Sequence, residues 1–180
     1  STDVFRAHIP ISDREENPLA IRSQIKNMIL SDDLLQQIRS YYIALQSKAV
    51  AVRSSATAED LPGHSFAGQY DSFLNISIAE ECIEAVKKCW ASLWSDRAVD
   101  YRRVNRIDPA AIAMAVIVQE MIDSDVSGLI FTADPVTGDD EKIVVEAVPG
   151  LGDTIVQGRI RPQRFVFNRK NGKVLDTIST

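Results

Sequence analysis

The chain has 180 residues, 45% of them hydrophobic and 25% charged, enough for one well-cored domain or two small lobes of ordinary soluble composition. Its net charge of −5 and pI near 5.1 argue against general nucleic-acid binding, which leaves a basic footprint. No run of about 18 apolar residues and no charged-then-apolar leader occurs, so no membrane partner and a cytoplasmic location are expected.

In chain order, Ser12 stands as an N-cap with Glu15 three residues later, and Asp13-Arg14-Glu15-Glu16 opens a helix that Pro18 interrupts. The regular helix is predicted over residues 18 to about 30, with Ile21, Ile25, Met28 and Ile29 as its apolar stripe. Ser31-Asp32 caps a second helix carrying Leu34, Leu35, Ile38, Tyr42 and Leu45 at helical spacing. Ala49-Val50-Ala51-Val52 reads as a buried strand, and Tyr70 to Ile76 as the next. The long segment between them has little apolar periodicity, and a loop of that length inside a compact domain is usually functional or disordered. Residues 77 to 94 form the clearest helix, with Ile78, Cys82, Ala85, Val86, Cys89, Trp90 and Leu93 on one face. Cys82 and Cys89 match no metal or redox spacing and read as reduced core thiols. Ser95-Asp96 caps an arginine-rich helix ending near Arg106, and Asp108-Pro109 breaks the chain.

From Ala113 the pattern turns to strands. Residues 113–122 and 127–131 flank a turn at Asp123-Ser124-Asp125, and a third strand runs over 142–147. Gly150, Gly152 and Gly158 mark a second glycine-bearing loop, and Asn171-Gly172 closes a hairpin between strands at 164–167 and 174–178. The expectation is an α+β chain: a helical α/β lobe over residues 1–110, then a β-rich lobe over 111–180. The absence of an initiator Met and the strand-like end suggest a piece excised from a larger chain.

Phosphate binding needs accessible backbone N–H groups, hydroxyls and a cation. Arg53-Ser54-Ser55-Ala56-Thr57 offers these directly after a strand, where open α/β sheets tend to bind ligands. A planar guanidinium can hold two phosphate oxygens. A surface turn with Arg53 paired to Glu59 or Asp60 explains the same composition equally well, and the segment is not a P-loop. Gly68-Gln69 is either a close backbone approach to ligand or a turn into the following strand. Arg102 and Arg106 share a helix face while Arg103 is rotated away, and Arg97 and Arg106 read as solvated or paired. Gln119-Glu120 closes an apolar strand, as a sheet exit or as an adenine-edge reader. His8 and His64 are the only histidines and build no catalytic arrangement.

Residues 52–62 (VRSSATAEDLP) with Ser65-Phe66-Ala67-Gly68-Gln69 closely resemble the signature of the phosphoenolpyruvate synthase (pyruvate, water dikinase) family. Pyruvate phosphate dikinase and rifampicin phosphotransferase are related enzymes. The resemblance continues through Cys89-Trp90-Ala91-Ser92-Leu93, Asp96-Arg97-Ala98, Tyr101-Arg102, Val118-Gln119, Phe131-Thr132-Ala133-Asp134-Pro135 and Gly150-Leu151-Gly152 to Gly158. It implies part of an N-terminal ATP-grasp-like domain, with ATP held between two lobes. In such enzymes ATP phosphorylates a histidine on a swivelling domain, which delivers the phosphoryl group to pyruvate or another acceptor. Carried over by position, Arg53 with Ser54 would contact the phosphates, and Arg102 would be a second phosphate arginine. Gly68 and Ser72 would lie in the phosphate-covering loop, and Gln119 with the backbone of Glu120 to Ile122 would border the adenine.

The family's glycine- and lysine-bearing segment is expected upstream of Ser1, and its Mg²⁺-binding cluster beyond Thr180. The phosphohistidine and pyruvate-binding domains are expected elsewhere in the parent chain, so the 180 residues alone should be inactive and bind ATP weakly. His64 falls where relatives vary and is not the phosphohistidine. The alternatives are an antibiotic phosphotransferase of the rifampicin type and a non-catalytic interaction module.

Overall fold

The structure, a computed structural model, describes residues 17–57, 68–108, 112–156 and 158–178. The Ser12 cap, both histidines, Glu59, Asp60, residues 65–67 and Pro109 lie outside the described residues. The chain divides into two compact units, Ser1–Met121 and Ile122–Thr180.

In the first unit, helix α1 (Pro18–Asn27) is capped by Asn17, whose side chain accepts from the Ala20 N–H. Pro18 occupies the first helical position, where its missing N–H leaves no bond unmade. Helix α2 (Asp32–Ala44) begins at Ser31, whose hydroxyl accepts from the Leu34 N–H. Helix α3 (Ala79–Ser92) has no side-chain cap; Glu80 and Glu81 in its first turn complement the helix dipole instead. Helix α4 (Asp96–Val104) starts at Ser95, which accepts from the Ala98 N–H. It closes in a Schellman geometry: the Ile107 N–H reaches the Arg102 carbonyl and the Arg106 N–H reaches that of Arg103. Arg106 takes φ +53°, a conformation that glycine usually supplies at this place.

The helices pack on a three-stranded antiparallel sheet of order β2 (Ser72–Ile76), β1 (Val50–Ala56), β3 (Met114–Glu120). Period-two alternation sends Val50, Val52 and Ala56 into a core with Ile25, Cys82, Val86, Cys89, Trp90, Leu93 and Met114. Trp90 is 1% exposed, and an aromatic ring of this kind removes roughly 150–250 Å² from water. Strand β2 carries a bulge: Phe73 faces Val52 and Ile76 faces Val50, so three steps on β2 match two on β1. Asn75 takes φ +59° there, a torsion that Asn tolerates better than most residues. Phe73 and Ile76 consequently both pack against the core.

The second unit is an antiparallel meander, β4 (Val126–Phe131), β5 (Lys142–Pro149), β6 (Gln163–Asn168) and β7 (Val174–Ile178), with the short helix α5 (Asp153–Val156) between β5 and β6. Val144, Val148 and Val166 are its buried apolar side chains. Gly128 pairs with Ala147, and a Cβ built on it would lie 2.4 Å from the Glu146 carbonyl oxygen. Asp134 organises the β4–β5 connection, accepting from the Val136 N–H at 2.9 Å and the Arg164 guanidinium at 3.4 Å. The β6–β7 hairpin turns on Gly172 at φ +67°, while the Asn168 side chain accepts from the Lys170 and Asn171 N–H groups. This loop is longer than a two-residue Asn-Gly turn.

Every strand pairing among the described residues is antiparallel, and helices and sheet combine as an α+β chain. Two expectations change. Residues 53–56 do not follow a strand; they are inside β1, with Arg53, Ser54, Ser55 and Ala56 laddered to Ile117, Val116, Ala115 and Met114. Thr57 continues the contact, its N–H donating to the Ala113 carbonyl. Pairing with a strand distant in sequence overrides the weak strand propensity of a hydroxyl-rich stretch. The observed division also falls one strand later than 110/111, because β3 belongs to the sheet of β1.

Candidate functional site

Directly opposed residues in an antiparallel pair share a sheet face, with Cβ atoms about 4.5–5.5 Å apart. The registers Arg53–Ser72 and Arg53–Ile117 therefore draw one row across all three strands of the first sheet. This row lies on the face opposite Val52 and the helices. Gln119, opposite Ala51, lies on the same face, one diagonal step of about 7–8 Å from Arg53. Arg53, Ser72, Ile117 and Gln119 are all exposed. None of the ion pairs formed among the described residues involves Arg53. The arrangement offers a fork of guanidinium donors, a hydroxyl and an amide beside one another.

The other candidates separate from this row. Ser54 pairs with Val116, half-buried and directed to the helical side of the sheet. The β1 ladder engages the backbone of residues 53–56, so those amides do not form the free cradle that the sequence suggested. Glu120 pairs with Val50, on the face opposite Gln119, and the Met121 N–H donates to the Ala49 carbonyl at 3.0 Å. Ile122 opens the second unit and is 67% exposed. Gly68 is exposed at φ +71° with open space where a Cβ would stand; its glycine serves the torsion. Arg102 lies in the helical layer, 2% exposed, donating to the Leu93 carbonyl at 2.5 Å across the junction of α3 and α4.

Arg97 is the residue that sequence reasoning passes over. From the first turn of α4 its Nε donates to the Gln69 carbonyl at 2.9 Å, and its other donor meets the Asp71 carboxylate. Cys89 adds a weak thiol bond to the Asp71 carbonyl at 3.5 Å. Residues 69–71 are thus tied to α3 and α4 directly before Ser72. The available signal was the Asp96-Arg97-Ala98 match, which carries no indication of what Arg97 touches.

Burial pushes the Cys89 thiol up to about 12, with the Asp71 carboxylate adding to the shift, and burial also raises that of Cys82. Both are core thiols rather than nucleophiles. Among the described residues no group of three or more His, Cys, Asp or Glu side chains could hold a metal ion, and no helix is long and apolar enough to cross a membrane.

The sequence matches the family described as pyruvate phosphate dikinase, AMP/ATP-binding domain, over residues 10–179. The chain belongs to that family. It is 38% identical over 170 residues to the phosphoenolpyruvate synthase of Pyrococcus furiosus, covering 91% of this chain and 21% of that protein. Against the phosphoenolpyruvate synthase of Aeropyrum pernix the identity is 48% over 134 residues, covering 74% of this chain and 16% of the relative. A rifampicin phosphotransferase of Streptomyces sviceus is 44% identical over 156 residues, covering 86% of this chain and 18% of its own length. The chain thus spans between 16% and 21% of these relatives.

Proposed function

We propose that the chain is the nucleotide-binding part of a phosphoenolpyruvate synthase-like dikinase, with an ATP-grasp-type architecture whose lobes correspond to the two units. The exposed row of Arg53, Ser72 and Gln119 carries this reading, in a chain of an AMP/ATP-binding family. Arg53 would hold phosphate oxygens with its fork and neutralise their charge, which is most of what a protein contributes to phosphoryl transfer. Ser72 would donate its hydroxyl to a phosphate oxygen, Gly68 would give the segment before it its turn, and Gln119 with the 120–122 backbone would read the adenine edge. Arg102, buried against the Leu93 carbonyl, would support the helical layer rather than touch phosphate. Ser54 would act from the strand rather than by direct contact.

When bound, ATP supplies the phosphoryl group, which passes to a histidine of another domain and then to pyruvate. Mg²⁺ would be held by residues other than the described ones. The 180 residues on their own would bind ATP weakly and be inactive.

Calorimetric titration of the full-length protein with Mg-ATP tests the assignment. Arg53→Ala should weaken binding by about tenfold or more, the scale of a lost charge-assisted contact. Unchanged affinity would remove Arg53 from the site. A second acceptor is favoured by the 44% identity to a rifampicin phosphotransferase. Phosphorylation of rifampicin but not pyruvate by the full-length protein would establish that alternative.

A further inference from the structure

We infer that Arg97 is a positioning residue for the nucleotide face, fixing the segment that sets Ser72 opposite Arg53; the inference rests on the reading just given. The chain leaves Gly68 at φ +71° and enters β2, whose pairing with β1 starts at Ser72. Tyr70 is buried in the core of the first unit, and its two neighbours are tied to the helices. Arg97 donates to the Gln69 carbonyl at 2.9 Å and to the Asp71 carboxylate, and the Cys89 thiol reaches the Asp71 carbonyl at 3.5 Å.

The geometry suits arginine. Two donors in a rigid plane reach a backbone oxygen and a carboxylate two residues apart, which fixes the orientation of the segment as well as its distance. An ammonium can approach either acceptor but does not impose the fork. Arg97 is itself half-exposed, its side chain at 51% relative exposure, so its attraction to Asp71 adds little to global stability. Its consequence is local, in the position of Ser72. A segment already held in its bound position binds without a further ordering cost, so losing the bonds that hold it weakens affinity by up to what those bonds contribute to its order.

The test uses the full-length protein, Mg-ATP calorimetry and amide hydrogen exchange at residues 69–73. With wild type binding Mg-ATP, Arg97→Ala should speed exchange at these amides and weaken nucleotide affinity, each by about tenfold. Arg97→Lys should recover only a small part of either change, and Asp71→Asn should give an intermediate result. Arg103→Ala, which loses only an exposed pair with Asp100, should behave as wild type. Unchanged exchange or unchanged affinity in Arg97→Ala overturns the inference while leaving the nucleotide reading intact. Absence of Mg-ATP binding by the wild type overturns both. Should Arg97→Ala fail to fold, Asp71→Asn carries the same two readouts.

Discussion

The two units reach order by different means. The first buries Trp90, Ile25, Leu93, Val50, Val52 and Met114 between helices and one sheet face, leaving Arg53, Ser72, Ile117 and Gln119 exposed on the opposite face. The second buries few apolar side chains and relies on turns held by polar groups. Asp134 ties the β4–β5 connection, Lys142 pairs with Asp139 at 2.9 Å, and Arg169 donates to the carbonyls of Asp140 and Thr132. Apolar burial is indifferent to protonation, whereas carboxylate-centred turns are not. The units should therefore fail under different insults.

The largest separation should come from Trp90→Ala. Truncating a buried aromatic costs about 3–5 kcal/mol, and thermal unfolding followed by amide signals of Val50 and Val52 should register it. Val144 and Val166 should change much less; equal losses in both units would break the contrast. Gly128→Ala attacks the second unit. A methyl group driven toward the Glu146 carbonyl forces the β4–β5 ladder to shift, at a cost of about 1–3 kcal/mol. Denaturant unfolding read at Val144 should detect it, with Val52 unaffected.

A smaller effect separates the units by pH. Backbone donation from Val136 is the main cause holding the Asp134 carboxyl below its ordinary 3.8, with Thr137 and Arg164 assisting. A side-chain hydrogen bond from Lys142 does the same for Asp139. Because both folded values lie below the unfolded ones, their stabilisation is full above about 3.8 and is lost as pH falls through the folded values. Acid titration should therefore loosen Val144 and Val166 before the fluorescence of Trp90 and Trp94 changes. Asp134→Asn should flatten that response; tryptophan fluorescence changing first would reverse the assignment. The smallest effect is a gain. Arg106→Gly relieves a left-handed residue at the end of α4 and should add at most about 1 kcal/mol to the first unit, measured by calorimetric melting.

Sequence reasoning reached the elements with local signatures. Ser31 and Ser95 cap where they are expected, the apolar face of α3 is buried except for Ile78, which stands exposed at the N-cap, and β7 occupies its predicted residues. It missed features set by pairing across the chain. Nothing local to Arg53 says that it stands inside a strand, since Ile117 and Ser72 decide that. The family signature singled out Arg53, Ser72 and Gln119 separately, while only the strand register places them on one face. Arg102 carried the same signature weight as Arg53 yet is buried against Leu93, because a helix position alone does not reveal whether a long side chain turns inward.

The bulge in β2 turns the orientation of Ser72 into a matter of parity. An even number of steps from Ile76 would give Ser72 the same side as the core, and the odd count contributed around Asn75 reverses that outcome. Ser72 and Phe73 cannot both be right under the other count: a slip of one position would send the hydroxyl inward and the ring outward. Residue 75 thus acts as a spare digit in a two-state code. Substituting it with a β-branched side chain, which resists the left-handed torsion, would press the strand toward the wrong reading without touching any residue of the exposed row.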